Sequence, residues 1–257
     1  MVLLDYLKWR NDVSLKASPF NDIDNVILSC LAYIDFGEFF ANYNDSYTLE
    51  EIFELFCKNH SLDEIRESKQ FTERIALLLE EMVQADRFKG TKVVHYAEDL
   101  DKEKVKQFAA VTFILPDGTN YISFRGTDST IIGWKEDFLM TIMADTEGAK
   151  EAVKYINKVS KFLEGNLIVG GHSKGGNFAM FASAFCDNVV QERISRVYNN
   201  DGPGFRDEVI KSNEYQAIVH KICTIVPQTS MIGQLLANES EQKVIESDAF
   251  GLYQHDA

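Results

Sequence analysis

The chain has 257 residues, 45% hydrophobic and 26% charged, which suits one large α/β domain or one domain carrying an appended helical segment. Its formal net charge of -14 opposes nucleic acid and anionic membrane surfaces by long-range repulsion, and no basic patch offsets it. No apolar run approaches the ~18 residues that span a bilayer, and the start lacks the basic leader and cleavage pattern of a secretory signal, so a cytoplasmic protein without an integral membrane segment is expected.

From the start to about Gly90 the apolar residues recur at three- and four-residue spacing: Val26-Ile27-Leu28 with Leu31, Ile52-Phe53 with Leu55-Phe56, then Ile75, Leu77-Leu78-Leu79 and Met82-Val83. That spacing predicts helices, one of them opened by a capping box of Thr48 and Glu51. Beyond Gly90 the pattern turns to strands. Thr91 to Tyr96 reads as a short strand. Phe108 to Leu115 and Asn120 to Phe124 read as a hairpin around Pro116-Asp117-Gly118-Thr119. A helix is expected from Ala149 to Leu163, with Val153, Ile156, Val159 and Leu163 on one face and Gly165 as its stop. Strands at 167–170, Arg196 to Asn199 and Ile222 to Val226 follow, with a helix after the first. This alternation implies a mostly parallel sheet flanked by helices. The expected division is a helical segment over residues 1–90, packing on or capping an α/β core over residues 91–257. Cys30, Cys57, Cys186 and Cys223 are scattered without metal or redox spacing and read as buried free thiols.

Leu167-Ile168-Val169-Gly170 feeds Gly171-His172-Ser173-Lys174-Gly175, a G-x-S-x-G pattern followed by the helix-compatible Phe178 to Phe185. In a nucleophile elbow the serine takes a positive φ, and strand and helix approach so closely that glycine is needed on either side. The alternatives are an ordinary glycine-rich turn or a phosphate loop. The latter wants a lysine before the serine, and here the order is reversed.

A serine hydroxyl needs a histidine base and an acid to orient it, in the chain order Ser, acid, His for an elbow. His60 and His95 precede Ser173, His172 is locked beside it, and His220 stands at the wrong end of its strand. His255, in Gly251-Leu252-Tyr253-Gln254-His255-Asp256, is the remaining candidate base. Asp201, just past a strand's carboxyl end in Asn199-Asn200-Asp201-Gly202-Pro203-Gly204, is the candidate acid, against a plain turn role; Asp248 and Asp256 are weaker alternatives. For a tetrahedral oxyanion the donors expected are the Lys174 N-H and the Thr127 N-H, on the loop that contains Gly126. An Arg125–Asp137 ion pair would brace that loop, and the Lys174 side chain reads as a solvated surface charge.

Phe124-Arg125-Gly126-Thr127-Asp128-Ser129, Trp134-Lys135-Glu136-Asp137-Phe138 and Gly171-His172-Ser173-Lys174-Gly175-Gly176 resemble the class 3 lipase pattern of the α/β-hydrolase fold. More closely, the chain resembles a bacterial family of that fold, the Mbeg-like family. That resemblance extends to Asn199 to Phe205, Val226 to Gly233, Gln254-His255-Asp256 and the early Pro19 to Asp24. It implies a serine hydrolase with Ser173 as nucleophile, His255 as base and the oxyanion donors named above. Two departures stand out. Class 3 lipases carry their acid just before an Ile-Val-Pro-like segment, where this chain has Thr224. Members of the closer family continue well past the Gln-His-Asp segment; where that continuation anchors the histidine loop, a chain stopping at Ala257 would have His255 frayed and low activity.

The expected chemistry is cleavage of a small or lipid-like carboxylic ester through an acyl-enzyme, with no cofactor and no metal. A catalytically weak binding or regulatory module, and a thioesterase or peptidase, are the alternative readings.

Overall fold

A computed structural model describes residues 2–68, 70–127, 133, 145–249 and 251–255. Eight strands form one sheet in chain order: β1 Ser46–Thr48, β2 Lys92–Asp101, β3 Lys106–Ile114, β4 Asn120–Phe124, β5 Leu167–His172, β6 Ile194–Asn200, β7 Ile222–Pro227 and β8 Glu241–Ile245. Pairings from β1 to β4 are antiparallel, and those from β4 to β8 are parallel. The protein is thus α/β, with a mostly parallel sheet.

Strand alternation sorts the core into two layers. Along β3, Ala109, Val111 and Phe113 join one apolar cluster, while Phe108 and Ala110 join the other, because successive side chains leave opposite faces of a strand. Helices α1 (Val2–Arg10), α2 (Asp22–Leu31), α3 (Leu49–Asn59) and α4 (Ala76–Met82) pack on the first face. Helices α5 (Glu147–Val159) and α6 (Lys174–Phe185) cover the second. Every residue of β4 and β7 is buried, as expected of strands covered on both faces.

The early helices are more than an overlay. α2 carries Asn25 and Ser29 into a fully buried network: Asn25 Nδ2 donates to Asn200 Oδ1 at 2.8 Å, and Asn200 Nδ2 donates to Ser29 Oγ at 2.9 Å and to the Gly171 carbonyl at 3.1 Å. A second buried anchor joins Arg87 to Asp24, with the guanidinium also donating to the Ser18 carbonyl at 2.8 Å and the Pro19 carbonyl at 3.0 Å. Removing one partner of such a pair typically costs about 3–5 kcal/mol, because the other charge is left buried and uncompensated.

The Thr48–Glu51 capping box and the β3–β4 hairpin match expectation; Gly118 in that hairpin has a φ of 89°. Four features differ. β1 lies within the region expected to be helical, and its three residues are strand only because β2 pairs with them. β2 extends to Asp101, and β8 is a further strand whose sequence, Glu241 to Ile245, carries no apolar alternation to mark it. Of the four free cysteines, Cys57 is exposed, because its position on α3 points away from the cluster formed by Leu49, Ile52 and Phe56.

Candidate functional site

Ser173 links β5 to α6 with φ 57° and ψ -131°, a left-handed conformation that costs a non-glycine residue of order 1–3 kcal/mol. The surrounding backbone imposes it. A Cβ on Gly171 would stand 2.3 Å from the Gly175 carbonyl carbon, and one on Gly175 would stand 2.1 Å from the Phe124 carbonyl oxygen. Both contacts are with backbone that cannot swing away, which is why glycines flank the serine at this spacing. The Ser173 N-H donates to the Asn200 carbonyl at 2.9 Å, fixing the turn to the end of β6.

Asp201 follows directly, also at positive φ (52°), with its N-H on the Ile225 carbonyl at 2.8 Å. Its buried carboxylate is engaged on both oxygens. Oδ1 accepts from the Ser230 hydroxyl and from the Gly233 N-H at 3.2 Å, while Oδ2 accepts from His255 Nδ1 at 2.6 Å. His255 is partly exposed. Its Nε2 and the Ser173 hydroxyl each make no hydrogen bond among the described residues. The structure therefore brings Asp201 and His255 into direct contact, and sets them beside the turn that carries Ser173.

The loop before His255 has its own anchors. Buried Gln254 accepts from the Thr229 N-H at 3.1 Å and from the Thr229 hydroxyl, and its Nε2 donates to the Ala249 carbonyl at 2.8 Å. His172 Nε2 lies 2.7 Å from the His255 carbonyl oxygen, and the two imidazole centroids are 4.6 Å apart. Burial, followed by the neighbouring His255, pushes the His172 pKa down to about 3. Of the alternative acids, Asp248 is exposed and Asp256 lies outside the described residues. Thr224, where the lipase pattern places its acid, is fully buried and meets the Ser240 hydroxyl and Asn238 Nδ2, each at 2.8 Å.

Gly126 is packed so closely that a Cβ there would meet the Tyr33 hydroxyl at 2.0 Å and the His172 carbonyl at 2.6 Å, which sets the Gly126-Thr127 loop against the elbow. Lys174 begins α6, so its N-H stands in the first turn of the helix, directly after Ser173. The Lys174 side chain corrects the solvated reading: it is only 1% exposed, and Nζ donates to Gln107 Oε1 at 2.6 Å. Local sequence gives no sign of this, because the acceptor comes from β3. Arg125 Nη2 donates to Glu98 at 2.6 Å, and its expected partner Asp137 lies outside the described residues, as do Asp128, Ser129 and Trp134 to Phe138.

Ser230, Gly233 and His172 are the contributors that sequence reasoning gave no role. Ser230 and Gly233 are visible only once β7 is known to end beside Asp201. Among the described residues no three His, Cys, Asp or Glu side chains gather to hold a metal ion, and no helix is long and apolar enough to cross a membrane. No curated protein matches the chain. A family model does match, over residues 82–257, from the end of α4 through Ser173, Asp201 and His255. The chain belongs to the Mbeg1-like family.

Proposed function

We propose that the protein is a serine hydrolase of the α/β-hydrolase type that cleaves carboxylic esters, with Ser173 as nucleophile, His255 as base and Asp201 as the orienting acid. One observation carries this reading: a buried carboxylate holds His255 by Nδ1, at 2.6 Å, beside a serine turn strained into positive φ. Such a turn costs stability, and a reacting hydroxyl is what repays it.

In the proposed cycle His255 Nε2 takes the Ser173 proton as Oγ attacks the ester carbonyl carbon. Asp201 Oδ2 keeps the proton on Nδ1 and stabilises the imidazolium. The N-H of Lys174, at the start of α6, and that of Thr127, on the loop positioned by Gly126, are assigned to the oxyanion; one such donor contributes about 3 kcal/mol. The alcohol leaves with the proton from Nε2; water, deprotonated by the same nitrogen, then attacks the acyl carbon, and Ser173 Oγ leaves with that proton as the acid is released. The preference for ester over thioester or amide rests on the class 3 lipase resemblance. A cytoplasmic setting belongs to the same reading and agrees with four unpaired thiols.

Hydrolysis of p-nitrophenyl esters of graded acyl length tests the proposal. Turnover by the wild type that vanishes in Ser173→Ala supports it. A folded wild type inert toward esters, thioesters and amides favours a binding module on the same scaffold.

A further inference from the structure

The helical region before residue 90 meets His172, the neighbour of the candidate base, through Tyr33 and Phe71. The Tyr33 hydroxyl lies 2.9 Å from His172 Nδ1, and His172 Nε2 lies 2.7 Å from the His255 carbonyl oxygen. A carbonyl can only accept, so Nε2 carries the proton. A neutral imidazole has one ring N-H, so Nδ1 accepts and Tyr33 donates. The imidazole is neutral at physiological pH, since burial holds its pKa at about 3. The ring is also walled in: Tyr33 and Phe71 lie 5.8 and 5.7 Å from it, centroid to centroid, with His255 on another side at 4.6 Å.

We propose that Tyr33 and His172 are positioning residues for the base: Tyr33 fixes the His172 tautomer, and His172 pins the His255 backbone so that Nε2 faces Ser173. This inference rests on the serine-hydrolase reading. The physical need is plain. Bonded to Asp201 alone, the His255 ring can pivot about its Nδ1–Oδ2 axis, and a second fixed point at the carbonyl removes that freedom. A misplacement near 1 Å can cost about 100-fold in rate. Neutrality matters as well, because His255 becomes cationic in each half-reaction and a charged neighbour at this distance would oppose that charge.

The test uses the full chain and three readouts: the rate of Ser173 phosphonylation by a fluorophosphonate, kcat against KM for a p-nitrophenyl ester, and thermal melting. His172→Ala should slow phosphonylation by up to about 100-fold, falling on kcat with KM little changed. His172→Gln, whose amide N-H2 can reach the same carbonyl, should recover most of that loss. Tyr33→Phe keeps the ring packing and should slow the reaction a few-fold, yet add nothing in the His172→Ala background, because it acts through His172. Should His172→Ala fail to fold, Tyr33→Phe and His172→Gln carry the comparison. The 15N resonances of the His172 ring should report a protonated Nε2 and a bare Nδ1. Folded variants that react at the wild-type rate, additive effects of Tyr33→Phe and His172→Ala, or the opposite tautomer would each overturn the assignment while leaving Ser173 chemistry intact. An unlabelled wild type would instead sink the hydrolase reading, and this inference with it.

Discussion

The serine turn and the histidine loop are held by different means. Around Ser173 backbone meets backbone: Gly171, Gly175 and Phe124 approach so closely that no side chain fits between them. His255, by contrast, is held by side chains: its ring by Asp201, its carbonyl by His172, and its neighbour Gln254 by Thr229 and Ala249. Substitutions in the first region should therefore act on folding, and those in the second on chemistry with the fold retained.

Asp201→Asn sharpens the contrast most. The amide keeps the shape but offers N-H2 to Nδ1, favouring the wrong tautomer, so ester turnover should fall about 10,000-fold with little change in melting temperature. Turnover near the wild type would move the acid elsewhere. Gly175→Ala tests the opposite side. Its Cβ would stand 2.1 Å from the Phe124 carbonyl oxygen, so denaturant unfolding should show a loss of about 3 kcal/mol or failure to accumulate folded protein. Retained stability would mean that the strand and helix have room to separate.

A third expectation concerns acid. His172 has a folded-state pKa of about 3 against an ordinary 6.5. Between those values the unfolded chain binds the extra proton, so stability rises with pH. The contribution is complete above about 6.5 and is withdrawn as pH falls toward 3. Denaturation curves over that range should be flatter in His172→Gln than in the wild type. Parallel curves would mean that the imidazole is hydrated. The smallest effect is expected from Gln254→Ala, which removes the bonds to Thr229 and Ala249 and should cost about 1 kcal/mol of stability with a modest drop in kcat.

The same contrast explains what was legible in the sequence. Close backbone approach demands glycines at fixed spacing, so the strained turn at Ser173 can be read locally, and the contact between Asp201 and His255 joins two residues that chain order and strand ends single out. The pairing of β3 with β4 is equally local, through Pro116 and Gly118. What stayed hidden depends on partners distant in the chain. β1 is strand because β2 pairs with it, and β8 presents Glu241, Gln242 and Lys243 with no apolar face to betray it. Lys174 looks like a surface charge until Gln107 is placed over it. Tyr33 and His172 lie 139 residues apart, and no local pattern links them.

Peptide mapping after treatment with a fluorophosphonate tests the central claim most directly. One phosphonyl adduct per chain is expected, on Ser173, formed in the wild type and much more slowly in Asp201→Asn. A folded protein that stays unmodified, or carries its adduct on another serine, would contradict it.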